Sequence, residues 1–189
     1  MKRLFLPLAL LAASTLSALA EPASYSLDPA ASSVQFTYVL NNSPANGTMP
    51  ITQADLVLDF AQVANSSATV TLNASRARTG VIFVTNALKS PEVLNTATYP
   101  EIRFVSRRVT AVPGGARLQG DVTIRGVTRP LTLNARIFRR EGSSEGDLSR
   151  LTILLTGAID RRDFGATGYP KLVDPTVRLR ILARITSDG

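Results

Sequence analysis

The sequence contains no histidine, no cysteine and no tryptophan. Without His or Cys, neither a Ser-His-Asp nor a Cys-His triad can be assembled, and zinc sites built on imidazole or thiolate are equally out of reach. No disulfide can staple the fold, and no lipid anchor can be attached to a cysteine behind a leader. Long hydrophobic runs are scarce as well. The longest covers residues 4–16, too short for a bilayer core of about 30 Å, which needs roughly 20 apolar residues. Lysine is nearly missing, with Lys2, Lys89 and Lys171 set against many arginines. The chain also lacks a Gly-x-Ser-x-Gly elbow, a Ser-x-x-Lys pair and a Gly-rich phosphate loop, so the common nucleophile and nucleotide motifs are not there.

What is present begins with a leader. Lys2 and Arg3 precede the apolar run, and Ala18-Leu19-Ala20 puts small residues at the positions a signal peptidase reads. We therefore expect a signal peptide at 1–20, export to the periplasm, and a single mature domain over 21–189, large enough to fold around its own core. Without Lys2 and Arg3, 19 basic and 14 acidic residues leave a mature charge of +5. The arginines are dispersed along strand-like segments, which argues against nucleic acid and for general solubility, with anionic membrane or phosphate-bearing ligands as the functional alternatives.

The dominant pattern has a period of two. Val34, Phe36, Tyr38 and Leu40 alternate with polar or smaller residues, as do Val70 and Leu72, Ile102 and Phe104, Leu118 to Ile124, and Leu131 to Ile137. In the last such segment Val177, Leu179, Ile181, Ala183 and Ile185 face one way and Arg178, Arg180 and Arg184 the other. Turn signals separate them, including 41–47, Asn65-Ser66-Ser67, Pro113-Gly114-Gly115 and Arg125-Gly126. Segments near 33–40, 48–60, 68–76, 101–110, 116–125, 130–139, 150–160 and 176–186 give about eight strands in an antiparallel meander, the number at which a barrel either fills with side chains or admits one small ligand. Between Arg76 and Tyr99 the alternation stops. Val84 to Lys89 reads as a short helix, and Ser90-Pro91-Glu92 as an N-cap with Pro at the first helical position, opening a turn through Val93 and Leu94. Val81, Ile82, Phe83, Leu88, Val93 and Leu94 in this insert call for burial, which capping one barrel end would supply.

Four strings carry a resemblance. Tyr25-Ser26-Leu27-Asp28-Pro29 leads into Ser32-Ser33-Val34-Gln35-Phe36. Thr79-Gly80, Ala87-Leu88-Lys89-Ser90-Pro91 and Tyr99-Pro100-Glu101-Ile102-Arg103-Phe104 follow. Then come Leu118-Gln119-Gly120-Asp121-Val122-Thr123-Ile124-Arg125-Gly126-Val127-Thr128-Arg129-Pro130 and finally Gly157-Ala158-Ile159-Asp160-Arg161-Arg162-Asp163-Phe164-Gly165. In this order and spacing, over residues 25–186, they resemble the YceI-like family. The resemblance implies an all-β, extended antiparallel eight-stranded lipocalin-like barrel, with a short helical insert capping one end. It also implies a long amphiphile inside: a polyisoprenoid, an isoprenoid quinone or a fatty acyl lipid. The chain departs from the family at Ala31, where many members carry a His, and near Leu40, where a second is frequent.

On this reading the protein is a binding protein and not an enzyme, with no cofactor other than its lipid. The ligand-facing candidates are Phe36, Tyr38, Leu58, Phe60, Leu72, Phe83, Leu88, Leu94, Phe104, Gly120, Val122, Leu133 and Ile153. Gly120 and Gly157 stand on inward rows where a large residue would fill space, so each marks either close approach of a ligand or a bend for barrel closure. Arg76, Arg78, Arg125, Arg161 and Arg162 are head-group candidates, because a guanidinium pairs bidentately with phosphate. Asp160 and Asp163 form the one carboxylate pair suited to acid–base work, and beside Arg161 and Arg162 they read instead as turn and ion-pair residues. The competing reading is a structural or stress-protective interaction protein with a filled barrel docking on anionic membrane or a partner. Peripheral membrane contact and a homodimer are compatible with either.

Overall fold

The computed structural model describes residues 22–139, 142–144 and 146–189, so the leader expected at 1–20 lies outside the described residues. Eleven strands and one α-helix follow in the order β1 (Ala23–Leu27), β2 (Ser33–Leu40), β3 (Ser43–Met49), β4 (Ile51–Leu58), β5 (Ser67–Asn73), β6 (Arg78–Thr79), α1 (Ile82–Lys89), β7 (Glu101–Val112), β8 (Gly115–Ile124), β9 (Val127–Arg139), β10 (Arg150–Asp160) and β11 (Thr176–Ser187). All pair antiparallel. The ring β1-β4-β5-β7-β8-β9-β10-β11 returns to β1, closing an eight-stranded barrel. β2, β3 and β6 extend the wall from the other half of β11, which pairs with β2 over Arg178 to Leu182 and with β1 over Ile185 to Ser187. β1 and β2 thus act as one strand interrupted at 28–32, and β3 and β4 as one kinked at Pro50.

Alternation drives this closure. Along β9, Leu131, Leu133 and Ala135 are buried while Thr132, Asn134 and Arg136 are exposed, and β11 repeats the pattern with Ala183 and Ile185 inside and its arginines outside. Where the ring closes, strand edges are paired with neighbours instead of being left open.

The eight-stranded ring agrees with the sequence pattern, whose eight segments leave out β1 and β6, and two further readings differ. The run from Asn41 to Gly47 reads as a turn, yet only Asn41 and Asn42 turn, with φ of 54° and 63°, and Ser43–Met49 is strand β3. Two residues at positive φ suit a tight hairpin whose twist matches its strands. Pro44 is tolerated because β6 pairs with β3 only at Gly47 and Thr48, leaving that stretch of the edge free. The second difference is at Ser90, which closes α1 as well as opening the turn through Val93 and Leu94, so that turn follows directly on the helix and is not itself helical. Its N–H donates to the Ala87 carbonyl, and its own carbonyl accepts from Val93 and Asn95 in the turn that follows.

Two glycines explain themselves through packing. A Cβ on Gly120 would stand 2.3 Å from the Val105 carbonyl oxygen and 2.7 Å from the Phe104 ring, and one on Gly157 would stand 2.7 Å from Leu133 Cδ2. The space a side chain would take is filled by the protein itself. Gly120→Ala is therefore expected to destabilise by about 1–3 kcal/mol, since backbone as well as a ring must move. Urea unfolding measures it, and shaving Phe104 in the same chain should rescue only part, because the carbonyl contact remains.

Candidate functional site: an apolar cavity through the barrel

The inward rows do not meet at the centre. They surround a cavity of about 520 Å³, within the range of small-molecule sites. One end is walled by Leu56, Leu58, Phe60, Val63 and Ile153, the middle by Leu118, Leu133, Leu155 and Ile181, and the other end by α1 and the loop between β10 and β11. From α1 and the turn after it come Phe83, Val84, Leu88, Val93 and Leu94, and from the loop Ala166, Tyr169, Leu172 and Val173. The lining is aliphatic and aromatic with few polar exceptions.

Those exceptions sit near the ends. Asp59 is buried at 3% exposure, accepting from the backbone N–H groups of Gln62 at 2.6 Å and Ala61 at 2.9 Å and from Asn65 Nδ2 at 2.9 Å. These bonds, led by that from Gln62, hold its carboxyl below the usual carboxylate range. A lowered native value means the stabilisation is complete above the unfolded-state pKa and is lost as pH falls through the native one. Acid titration below about pH 4 should therefore loosen the β4–β5 connection, and Asp59→Asn should flatten the acid limb of the stability–pH curve.

Arg161 occupies the opposite end and is 7% exposed. Its Nε donates to the Asp174 carbonyl at 3.1 Å, Nη1 to Ala166 and Gly168 at 2.6 and 2.7 Å, and Nη2 to Val173 at 2.8 Å. Burial pulls the guanidinium below its ordinary pKa, but it stays a cation. It thus folds the 166–174 loop around itself, which places that loop's apolar side chains against the cavity.

Residues 25–185 match the YceI-like domain. The chain belongs to the YceI-like family. A Protein YceI of Escherichia coli is 30% identical over 118 residues, covering 62% of this chain and 61% of that protein, so the chain spans less than two thirds of the curated relative's length. Among solved structures, Burkholderia cenocepacia BcnA superposes with a TM-score of 0.74 at 19% identity, covering 84% of this chain and 99% of that one. A polyisoprenoid binding domain from Saccharophagus degradans gives 0.62 at 14% identity, over 87% of this chain and 99% of that one. At these identities the likeness establishes the fold, which is the closed barrel described above.

In this YceI-like barrel, Phe36, Tyr38, Leu58, Phe60, Leu72, Phe83, Leu88, Leu94, Phe104, Leu133 and Ile153 all border the cavity. Gly120 and Val122 do not. Gly120 lies beneath the Phe104 ring, and Val122, 5% exposed, is packed into the wall. The expectation that Val81, Ile82 and Phe83 are buried also fails: they are 53%, 66% and 81% exposed, because the two-turn helix turns Val84 and Leu88 inward and leaves its start hanging over the mouth.

The five head-group arginines do not converge. Only Arg161 borders the cavity. Arg125 ties the β8–β9 turn to the insert through the Pro91 carbonyl at 2.8 Å and the Val93 carbonyl, and Arg162 is bound to Asp160 at 2.6 Å. Arg76 and Arg78 are exposed on the insert. The Arg162 guanidinium bonds hold Asp160 at a pKa of about 2, which keeps it an ion-pair carboxylate at neutral pH. Sequence reasoning missed the 166–173 loop. It has no periodicity, and its only signal is four apolar side chains, Ala166, Tyr169, Leu172 and Val173, in a stretch otherwise composed like a turn.

Proposed function

We propose that this protein binds a long apolar amphiphile, a polyisoprenoid, isoprenoid quinone or fatty acyl lipid, and carries, stores or protects it in the periplasm. The observation that carries this reading is the continuous apolar cavity, and the polyisoprenoid-binding character of the Saccharophagus degradans relative is consistent with it. The physics is transfer free energy. Each buried methylene contributes about 0.8 kcal/mol, so ten carbons give roughly 8 kcal/mol before the costs of association. The leader at 1–20 supports the location. The space inside the barrel speaks against the filled-barrel alternative, and binding is favoured over turnover because Asp160, one of the two carboxylates the sequence offers for acid–base work, is committed to Arg162.

The polar head of the ligand lies at the mouth formed by α1 and the 166–174 loop. Arg161 is there, and among the described residues four of its five N–H donors are engaged, leaving one for a head-group oxygen. α1 acts as the lid. Leu88→Asp places a charge against the cavity while altering no strand residue, so lipid retention should fall at least roughly tenfold while the β-sheet circular dichroism stays near native. Lipid extracted from equal amounts of the two proteins measures this, and unchanged retention would remove α1 from the ligand path.

A further inference from the structure

The start of α1 is the most exposed apolar part of the described chain. Val81, Ile82 and Phe83 are 53%, 66% and 81% exposed, and across the same mouth Tyr169 and Leu172 are 44% and 48% exposed. Phe83, Tyr169 and Leu172 all border the same barrel cavity, which joins the two segments into a single rim. Clustered exposure of this kind marks an interaction surface, whereas isolated apolar residues do not. Within the two segments every charged side chain is basic, while Glu92 packs against the second of them at Gly168. Residues 76–90 and 165–173 contain Arg76, Arg78, Lys89 and Lys171 and no Asp or Glu. The adjoining carboxylates along the chain are Glu92, whose side chain accepts the Ser90 hydroxyl at 2.7 Å, and Asp174.

We propose that this rim docks on an anionic lipid bilayer, with Val81, Ile82, Phe83 and Leu172 entering the interface and Arg78 and Lys171 meeting lipid phosphates. Apolar side chains beside basic ones are the composition that holds a protein on such a surface. The inference rests on the lipid-binding reading: a bilayer against this rim opens directly into the cavity, so an apolar tail passes between them without crossing water.

The test is flotation of the purified full chain with vesicles of phosphatidylglycerol and phosphatidylcholine, compared with phosphatidylcholine alone. Binding to the anionic vesicles that weakens as salt rises is expected. Val81→Ser combined with Ile82→Ser should reduce it roughly tenfold or more, and Arg78→Glu with Lys171→Glu should reduce it comparably. Phe138→Ser, at the opposite end where Phe138 is 49% exposed, should leave it unchanged. Val81 and Ile82 do not border the cavity, so the double serine variant should keep its bound lipid. Loss of bound lipid in that variant would overturn docking as a separate role. So would equal vesicle binding by wild type and variant, or no binding by wild type. A concentration-dependent dimer that disappears in the same variant, without vesicle binding, would assign the rim to a second copy of the chain and also overturn the proposal. A wild type that docks but never holds lipid would leave docking standing and remove the cargo.

Discussion

Replacing Arg161 with Met is expected to cost about 3–5 kcal/mol of stability, because it strips four backbone carbonyls of their donors in a loop otherwise tied down by backbone bonds such as Gly168 N–H to the Glu92 carbonyl and Asp174 N–H to the Val39 carbonyl. For a domain of this size that corresponds to a fall in Tm of roughly 10 °C. The carbonyls of Ala166, Gly168, Val173 and Asp174 come from both arms of the loop, and one planar fork reaches all of them. Arg161→Lys should recover only a small part, since an ammonium offers three donors from a single point. Thermal unfolding of the three proteins decides it. A wild-type-like Tm for the Met variant would show that the loop's backbone bonds and apolar contacts hold it without the guanidinium.

The second large effect is on cargo. Leu155 stands midway along β10, opposite Ala135 and Ile181, and packs against all three buried apolar clusters. Leu155→Trp fills the middle of the cavity. If the ring displaces about three methylenes of ligand, at about 0.8 kcal/mol each, binding weakens roughly 50-fold. Stability should change by less than overpacking of a dense core would cost, about 1–3 kcal/mol, because the ring enters open space. Titration with an apolar fluorescent probe, alongside urea unfolding, separates the two effects. Unfolding would mean that the space is not available to a side chain, and unaltered binding would place the ligand elsewhere.

The barrel was legible because its strands alternate so regularly that the inward row is set by local pattern alone, as in Val177 to Ile185. β3 was not legible. Ser43-Pro44-Ala45-Asn46-Gly47 has turn composition, and only its pairing with β2, with Gly47 lying under the Phe36 ring, makes it a strand. Cavity residues were recovered where an aromatic or aliphatic side chain lies on an inward row, and misjudged at Gly120, where the missing side chain is replaced by a neighbour's ring across the sheet. No pattern along the chain encodes that cross-strand filling. Arg161 was legible only as one arginine among five. Its burial depends on a loop that returns to it from 5 to 13 residues downstream.

The central claim is that the barrel holds an apolar amphiphile, and native mass spectrometry of protein purified without detergent tests it most directly. The wild type should carry one lipid-sized mass per chain that Leu155→Trp largely loses. A wild type at its bare polypeptide mass, gaining nothing after incubation with polyprenyl or quinone lipids, would contradict the account.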